Sequence, residues 1–495
     1  MSTKMTMKLL RSLSWNAISF FSTLSAQSLS VCIVGSGPAG FYTADKLLKL
    51  HEDVKIDIID RLPTPFGLVR SGVAPDHPET KVVTNQFTRI AEDKRCSFFG
   101  NVILGQSISL SELKELYDVV VLAYGAESDR SLEIPGEHLS GIHSAREFVW
   151  WYNGHPDCAN LNPNLFTTQS AVILGQGNVA LDAARILLRP NEELSRSDIA
   201  SHALDALKRS EIRKVFLVGR RGPAQAACTA KELRELLGIR DLRIKINGHD
   251  LLLSPKDEEE LKGSRIHRRI YELLSKASTR EIIGEKELHF VFFRRPARFS
   301  SSENDGVSCV RLEKTKLQGD VGQQVAMGTG QYEEIECGLV LKSIGYRSVP
   351  VDGLPFDNKK GQPFSVNFLF VIWNSGVVPN REGRVLRNTT SDRGLYVCGW
   401  LKRGPTGIIG TNLYCAEETA ASINDDIVNG VIGPAPDRRA GRVGLARVLF
   451  ERNVRYVPFC GWKMIDAEEV RLGTLKHKPR EKITSLDDML RIASG

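Results

Sequence analysis

The stretch Val31-Cys32-Ile33-Val34-Gly35-Ser36-Gly37-Pro38-Ala39-Gly40 joins an apolar run of four residues to glycines spaced as G-x-G-x-x-G. An apolar run of this length predicts a buried parallel strand. The first glycine permits a tight turn, the second lets the backbone approach a diphosphate, and the third lets the next helix pack closely on the strand. The stretch therefore predicts the start of a dinucleotide-binding β-α-β unit.

The end of the next apolar run indicates which dinucleotide this unit takes. That run closes on Asp60. An acidic side chain at this strand end suits hydrogen bonding to an unmodified ribose, so the first unit predicts FAD or NAD. Its predicted contact residues are Gly35, Gly37, Pro38, Ala39, Gly40 and Asp60.

A second fingerprint, AVILGQGNVA, occupies residues 171–180, and its next apolar run ends in Gly219-Arg220-Arg221. Two guanidinium groups at that strand end suit a 2′-phosphate, which predicts NADP. A chain that holds both fingerprints can pass hydride from NADPH to a bound flavin. The predicted contact residues of the second unit are Gly175, Gln176, Gly177, Asn178, Val179, Arg220 and Arg221.

Composition narrows the class of protein. A chain of 495 residues, 42% of them hydrophobic, is long enough for two or three domains with large cores. No stretch reaches the roughly 18 apolar residues of a membrane span, so we expect at most peripheral membrane association. A net charge of +7 is too mild to indicate a nucleic-acid partner.

The cysteine spacing argues against two kinds of redox centre. Nine cysteines are present, and none forms a CxxC or CxxxxC pair. This argues against a thiol–disulfide flavoenzyme and against a cysteine-ligated cluster, so no metal site is predicted. Scattered thiols are typical of a reducing compartment, where most act as small buried apolar groups.

The amino-terminal residues have the composition of an organelle transit peptide. The first 44 residues contain no Asp or Glu, and Lys4, Lys8 and Arg11 share one helical face. Apolar side chains occupy the opposite face, as expected for an import leader. Residues 1–28 are therefore predicted to be a transit peptide; the alternative is a tail without function.

The fingerprints predict an α/β fold with two Rossmann-like dinucleotide-binding domains, of which the FAD domain is discontinuous. We place the FAD-binding domain at residues 29–128 and 347–495, and the NADP-binding domain at 129–346. Strands are predicted at 98–104, 117–123, 214–218 and 394–400, and helices at 80–92 and after 404–411. The Pro- and Gly-rich stretch 62–79 is predicted to be a functional loop without regular helix or strand.

Several motifs together resemble the NADPH:adrenodoxin (ferredoxin) reductase family of mitochondrial type. They extend over essentially the whole chain after residue 30. The matching stretches are PFGLVR (65–70), APDHPE (74–79), GQGNVALDAAR (175–185), VGRRGP (218–223), KELRE (231–235) and GWLKRGPTG (399–407). The resemblance implies a glutathione-reductase-like flavoprotein of the mitochondrial matrix. It would take hydride from NADPH onto FAD and deliver single electrons to a [2Fe–2S] ferredoxin.

The resemblance also implies roles for individual residues. His77 and Asp182 are expected to form an inter-domain pair close to the flavin, where they would join the domains or relay protons. Glu232 is expected near the nicotinamide ribose. The further flavin contacts implied are Leu68, Trp400, Gly407, Ile408 and Ile409. Simpler alternatives are a capping role for His77, a solvated helix acid for Glu232 and core packing for Trp400.

A basic segment is the expected docking surface. Residues 208–269 contain sixteen Lys or Arg against nine Asp or Glu. A solvated face is the usual explanation of such an excess, but ferredoxins of this type are acidic, and a basic face would steer them. The arginines predicted to form it are Arg234, Arg240, Arg243, Arg265, Arg268 and Arg269.

The chain departs from the family pattern at residues 362–375, an unusually apolar stretch for a loop. We interpret this stretch as an isoform-specific or mis-spliced segment. Two other functions therefore stay open at this point. One is an NADPH-dependent flavin reductase of a small-molecule or quinone acceptor; the other is a flavin-binding protein inactivated by this segment.

Overall fold

The computed structural model describes residues 28–301, 305–356, 376–433 and 439–495. The predicted transit peptide, apart from its last residue, and the apolar segment 362–375 lie outside the described residues. The chain forms two compact units. Unit one comprises Met1–Phe66, Asn85–Gly125 and Ser348–Phe459; unit two comprises Gly67–Thr84, Ala126–Arg347 and Cys460–Gly495.

The strands have the following bounds. They are β1 Ser30–Val34, β2 Lys55–Ile59, β3 Cys96–Phe99, β4 Val119–Leu122, β5 Ser128–Asp129, β6 Ile142–Ser144, β7 Ser170–Leu174, β8 Lys214–Val218, β9 Leu242–Ile246, β10 Lys286–Val291, β11 Arg294–Ser301, β12 Val307–Gln318, β13 Val325–Glu336, β14 Leu339–Lys342, β15 Tyr346–Arg347, β16 Asn380–Arg381, β17 Arg384–Arg387 and β18 Thr390–Val397.

The α-helices have the following bounds. They are α1 Pro38–Leu50, α2 Leu68–Ser71, α3 Pro78–Lys81, α4 Thr84–Ala91, α5 Leu110–Leu116, α6 Ala145–Tyr152, α7 Asn178–Leu188, α8 Asn191–Leu194, α9 Ser201–Lys208, α10 Ala230–Leu237, α11 Pro255–Gly263, α12 Arg265–Ser278, α13 Trp400–Arg403, α14 Thr411–Val428, α15 Gly441–Glu451, α16 Phe459–Leu475 and α17 Leu486–Ile492. None of these helices, which cover only the described residues, is long and apolar enough to span a bilayer.

Unit one is built on a seven-stranded sheet in the order β16-β17-β18-β4-β1-β2-β3. The strands from β18 to β3 pair in parallel, and β16 and β17 are antiparallel additions at one edge. The first fingerprint supplies β1, α1 and β2, and β4 and β18 lie beside them. The carboxyl ends of parallel strands meet at one edge of a sheet, which is where such folds bind dinucleotides.

Unit two repeats the plan with a fully parallel six-stranded sheet in the order β6-β14-β7-β8-β10-β9. The second fingerprint supplies β7, α7 and β8 at its centre. Their apolar side chains, including Ile173, Leu181 and Leu217, are fully buried in one core. A separate three-stranded antiparallel sheet, β11-β12-β13, also belongs to this unit.

The unit boundaries differ from the predicted domain boundaries at two segments. Residues 67–84 and 460–495 belong to unit two, whereas the sequence assigned them to the FAD-binding domain. Ion pairing within unit two accounts for this, because Arg70 of the first segment lies against Glu469 of the second, and Lys81 pairs with Asp198. The later boundary was predicted after residue 346, one residue before the end of the middle segment of unit two, Ala126–Arg347.

Two local predictions need correction. The stretch 62–79 contains a single helical turn, α2, and the start of α3, although no helix was predicted there. Gly67 precedes the turn with φ +49° and Gly72 closes it, so the two glycines bound the helix instead of preventing it. The helix predicted at 80–92 is two helices, α3 and α4. Between them the Thr84 hydroxyl donates to the Lys81 carbonyl, which competes with the helical hydrogen bond.

Candidate active site

The first cradle is the turn from β1 into α1. Gly35 has φ +107°, and a Cβ there would lie 2.6 Å from the Ala123 carbonyl oxygen, so only glycine fits. A Cβ on Gly40 would lie 2.0 Å from the Gly35 oxygen, which keeps the helix close to the strand. Gly37 differs, because a Cβ there meets no atom within 4 Å. The turn is therefore rigid on the protein side and open at Gly37.

Helix α1 presents unsatisfied N–H groups at this opening. Its N-cap is Gly37, which makes no side-chain capping hydrogen bond, and Pro38 takes the first helical position. Proline there lacks an N–H that would be unpaired anyway, and the following amides can bind an anion. Ala39 and Gly40 are small and buried in this first turn. The arrangement fits a diphosphate.

Asp60 lies directly after β2 and holds the cradle in shape. Its Oδ2 accepts hydrogen bonds from the Ser36 amide at 2.8 Å and the Ser36 hydroxyl at 2.6 Å. Its Oδ1 accepts from the Leu62 amide at 3.0 Å. The carboxylate thus has a fixed orientation at the edge where a ribose is expected, and each oxygen keeps lone-pair capacity for another donor.

The late segment of unit one reaches the same cradle. Gly399, with φ +71°, follows β18, and a Cβ there would lie 2.5 Å from the Cβ of Ala39. Trp400 donates from Nε1 to the Thr406 carbonyl at 3.2 Å. Gly407, with φ +83°, lies in the exposed turn before α14, where the Ile408 side chain is 64% exposed. Two sequence-distant segments of unit one therefore meet as a dinucleotide site requires.

The second cradle, in unit two, has the same geometry. Gly175 has φ +128°, and a Cβ there would lie 2.3 Å from the Ser343 carbonyl oxygen. A Cβ on Gly177 meets nothing within 4 Å, and α7 starts at Asn178 without a side-chain cap. The Gln176 amide donates to the Leu217 carbonyl at 3.0 Å, which fixes the turn to β8. This cradle also fits a diphosphate.

Asn178 and Val179 occupy the first turn of α7. The Asn178 Oδ1 accepts a hydrogen bond from the Thr229 amide at 2.8 Å, which ties this turn to the start of α10. Val179 packs, partly buried, against the core of unit two.

Arg220 and Arg221 follow β8 at the carboxyl edge of the sheet. Both are exposed, and among the described residues neither side chain forms an ion pair. Their backbone is fixed, since the Thr315 hydroxyl donates to the Arg220 carbonyl and the Phe293 amide donates to the Arg221 carbonyl. Two uncommitted guanidinium groups on a fixed backbone suit a phosphate.

His77 is buried and makes its hydrogen bond to an acid other than the predicted one. Its Nε2 lies 2.6 Å from Glu235 and 3.7 Å from Glu232, both on α10. The predicted partner, Asp182, lies instead beside Arg185, with 2.8 Å between Oδ1 and Nη2. All of these residues belong to unit two, whereas the sequence predicted an inter-domain pair. Glu235 was not predictable from the sequence because only the fold brings α10 to the loop that carries His77.

Arg185 is the centre of a buried charge network. Its side chain is fully buried, its Nε lies 2.7 Å from Asp76, and its Nη1 lies 3.4 Å from Glu232. Arg189 adds a second cation beside Asp76. Removing one member of such a network would leave an uncompensated buried charge. The network therefore fixes the loop of residues 74–79 to α7 and α10.

The pKa values of two acids in this network are shifted in opposite directions. Burial raises the pKa of Asp182 to about 6, reinforced by the charge of Glu232, although Arg185 and His77 oppose the shift. Burial also disfavours ionisation of Asp76, but hydrogen bonds and charge from Arg185, with the charges of His77 and Arg189, hold its pKa lowered, at about 2. Of these two acids, Asp182 is the one whose pKa is shifted towards physiological pH.

Comparison with known proteins places this geometry in a family. Residues 29–218 match the family model described as pyridine nucleotide-disulphide oxidoreductase. The NADPH:adrenodoxin oxidoreductase, mitochondrial, of Arabidopsis thaliana is 60% identical over 96% of this chain and 98% of its own length. The human protein of the same name is 45% identical over 93% of this chain and 91% of its own length.

The chain belongs to the NADPH:adrenodoxin oxidoreductase family.

A solved structure agrees with this assignment. FprA from Mycobacterium tuberculosis in complex with NADPH superposes with a TM-score of 0.85 at 40% identity, over 95% of this chain and 100% of that chain. The predicted resemblance and the α/β fold class are confirmed. The chain is an oxidoreductase that uses FAD and NADPH, and the predicted mitochondrial location is confirmed by the names of these oxidoreductases.

Ile409, partly buried, follows Ile408 in unit one, and the other remaining predicted residues lie in unit two. Leu68 is half-buried at the start of α2, and its proposed flavin contact stays a prediction. Arg234, Arg240, Arg265, Arg268 and Arg269 are exposed, while Arg243 lies 3.0 Å from Glu287. Helices α10 and α12, which carry most of these arginines, pack against each other. A common surface formed by the arginines of these two helices stays a prediction.

Proposed function

We propose that this protein takes hydride from NADPH onto bound FAD and passes single electrons to an acidic [2Fe–2S] ferredoxin in a mitochondrial electron-transfer chain. The proposal rests on the contrast between the two cradles. One ends in a fixed carboxylate, Asp60, and the other in two uncommitted guanidinium groups, Arg220 and Arg221. The relatives named NADPH:adrenodoxin oxidoreductase support the choice of a ferredoxin as acceptor.

In unit one the first cradle would hold the FAD diphosphate at the amides of α1, with Asp60 directed to the ribose. Trp400 and the turn Gly407-Ile408-Ile409 would lie against the flavin part, since glycine allows backbone to approach a planar ring. When bound, FAD supplies the step from two-electron hydride to single electrons. The protein contributes binding, orientation and exclusion of water.

In unit two the amides after Gly177 would hold the NADPH diphosphate, and Arg220 and Arg221 its 2′-phosphate. Glu232 is assigned to the nicotinamide ribose, a role in which Arg185, with its Nη1 3.4 Å away, orients its carboxylate. His77, bonded to Glu235, and Asp182 are assigned to holding and moving protons at the site.

The exposed arginines of α10 and α12 are assigned to ferredoxin docking. Arg234 and Arg265 lack ion-pair partners among the described residues, so their charges are free to act at long range. Attraction between exposed charges is screened beyond about 10 Å at 0.1 M salt. Docking through this face therefore predicts a steep dependence of the association rate on salt.

The test is NADPH-driven reduction of cytochrome c, with and without an acidic [2Fe–2S] ferredoxin, and reduction of a neutral quinone as the alternative acceptor. We expect ferredoxin to be required for fast cytochrome c reduction, and only the ferredoxin reaction to slow steeply with salt. A protein that reduces the quinone faster than ferredoxin would support the small-molecule reductase instead. A protein that reduces neither would support the inactive flavin-binding alternative.

Charge reversal refines this test. Arg240→Glu should raise KM for ferredoxin and leave flavin reduction by NADPH unchanged, because Arg240 is exposed and outside both cradles. Arg447→Glu, at a side chain 71% exposed on α15 of unit one, makes the same charge change away from the predicted docking arginines and serves as the control. Equal effects of the two variants would return the arginines of unit two to the solvated-face interpretation.

A further inference from the structure

Cys398 and Cys415 meet in the interior of unit one, although 16 residues separate them in the sequence. Cys398 follows β18 directly, and Cys415 lies in the second turn of α14. Their Sγ atoms are 3.9 Å apart, and the residues are 0% and 7% exposed. The sequence contains no short cysteine-pair motif, so this pair exists only in the folded protein.

The surroundings of Cys415 favour its thiolate. The Cys398 thiol donates a hydrogen bond to the Cys415 sulfur, and the Gly399 amide donates another at 3.1 Å. These bonds, with the charges of Lys402 and Arg403, lower the pKa of Cys415 against the opposing effect of burial. The pKa of Cys398 is raised correspondingly by its bond to Cys415 and by burial.

The other cysteines lack this combination. Burial raises the pKa of five buried thiols and of the partly buried Cys309; the five are Cys32, Cys96, Cys158, Cys228 and Cys337. Cys460 is exposed and, at the start of α16, belongs to unit two. Peroxide-sensitive sites combine a low-pKa thiol that solvent can reach with a resolving thiol beside it, and Cys415 is the more exposed of this pair, at 7% against 0%. Among the nine cysteines, the described structure shows that arrangement at Cys415 and Cys398.

We propose that Cys415 and Cys398 form a reversible disulfide when the protein meets hydrogen peroxide. The Cys415 thiolate attacks one peroxide oxygen, the O–O bond breaks, and protonation of the departing oxygen releases water and leaves a sulfenic acid. The Cys398 sulfur then attacks the Cys415 sulfur. The S–O bond breaks, and the departing hydroxide combines with the Cys398 proton as a second water. In sum, two thiols and one peroxide become one disulfide and two waters.

The bond requires only a local movement. The sulfur atoms must close from 3.9 Å to the disulfide length of about 2.05 Å. The movement takes the Cys415 sulfur from its hydrogen bond with Gly399, whose own position lies against Ala39 in the first cradle. Resting on the assignment of that cradle to FAD, we expect the disulfide to weaken FAD retention.

The first test maps the disulfide in the wild-type holoprotein. The protein is treated with a few equivalents of hydrogen peroxide, free thiols are alkylated, and the chain is digested with trypsin without reduction. Peptides 394–402 and 404–438 should appear joined, because Lys402 and Arg403 lie between the two cysteines. Dithiothreitol should restore both thiols. Oxidation of Cys460 without a joined 394–402 and 404–438 pair would overturn the proposal.

Variants separate the paired site from general thiol oxidation. In Cys398→Ser, which lacks the resolving thiol, peroxide should carry Cys415 on to sulfinic acid, and no joined peptide should form. Cys460→Ser is the matched control and should form the disulfide as the wild type does. If Cys415 formed a disulfide to the same extent with another cysteine of the Cys398→Ser protein, the assignment of Cys398 as the resolving thiol would be wrong.

The consequence for FAD is measured separately. Oxidised wild type should lose FAD severalfold faster during dilution and filtration than reduced wild type, and oxidised Cys398→Ser should show a smaller change. Equal FAD loss in oxidised and reduced wild type would refute the coupling to the cradle. None of these measurements uses NADPH or ferredoxin, so their outcome is distinct from failure of the reductase proposal.

Discussion

The two β-α-β units have the same turn geometry but differ at the two positions to which the proposed choice of dinucleotide is assigned. After the second strand, unit one has Asp60 bonded to its own loop, whereas unit two has Arg220 and Arg221 without ion-pair partners in the described structure. The helices differ as well. The eighth residue after the N-cap glycine is Asp45 in α1, in an ion pair with a mostly exposed Lys49, but the fully buried Arg185 in α7.

Different residues set the geometry of the cradle and the choice of dinucleotide. The cradle is set by glycines whose Cβ would strike the backbone, and it is alike in both units. The ligand is selected by one or two side chains at the strand end, which change without altering the turn. The buried network around Arg185 is a third, independent feature, found on α7 and not on α1.

The largest expected effect separates the two cradles. Gly37→Leu should give a folded protein without FAD, because a Cβ there meets no protein atom but projects into the diphosphate position. Gly177→Leu should keep FAD and lose NADPH binding for the same reason. Flavin absorbance and NADPH titration measure the two effects. Gly248→Leu, another open glycine, is the control, and stoichiometric FAD in Gly37→Leu would refute the first assignment.

The next effect concerns the helices. Arg185→Met should lower the free energy of unfolding by about 3–5 kcal/mol, because Asp182 would lose its buried counter-charge and Asp76 one of its two. Lys49→Met removes the exposed partner of Asp45 in α1 and should change stability by no more than about 0.5 kcal/mol. Urea unfolding followed by circular dichroism measures both. Equal losses would mean that the two helices do not differ energetically.

The titration of Asp182, which lies on α7, gives a second way to distinguish this helix from α1. Its pKa rises from the usual 3.8 to about 6 in the folded protein, so the folded state binds the proton more tightly than the unfolded chain. The resulting stabilisation is complete below about pH 4 and is lost as pH rises through 6. At 1.36 kcal/mol per pKa unit, the loss is at most about 3 kcal/mol.

Asp182→Asn removes this titration and therefore tests it. The free energy of unfolding of the variant minus that of the wild type should become more positive between about pH 4 and pH 7, because only the wild type acquires a buried charge. Asp76 titrates in both proteins and cancels in the difference. A difference that stays constant with pH would show that Asp182 has an ordinary pKa.

The smallest expected effect is on cofactor preference and concerns Arg221, which follows β8 in unit two. Arg221→Ala should reduce the preference for NADPH over NADH in kcat/KM by about ten- to a hundredfold, since one charge-assisted hydrogen bond contributes about 1.5–3 kcal/mol. NADH kinetics should change little, because NADH lacks the 2′-phosphate. Arg447→Ala, at an exposed arginine on α15 of unit one, should leave this ratio unchanged. An unaltered ratio in Arg221→Ala would remove the 2′-phosphate assignment.

Local elements were predictable where the sequence itself contains the cause. The strand predicted at 214–218 is β8 with the same bounds, and the predicted turn at 404–411 ends where α14 begins. The strand predicted at 98–104 is instead β3, Cys96–Phe99. Asn101 has φ +62°, which an extended strand does not accommodate, and Gly100 pairs with Val457, a partner far away in the sequence.

The sequence by itself determined the two cradles and their order, because the glycines and the strand-end residues act over short chain distances. It also determined the family, through motifs that retain their spacing. Only the tertiary structure decided that His77 bonds Glu235, that Arg185 joins Asp76 to Asp182, and that Cys398 meets Cys415. Each of these depends on which helix face reaches which loop or strand end. That is fixed by the packing of buried apolar side chains throughout each unit and not by any local pattern.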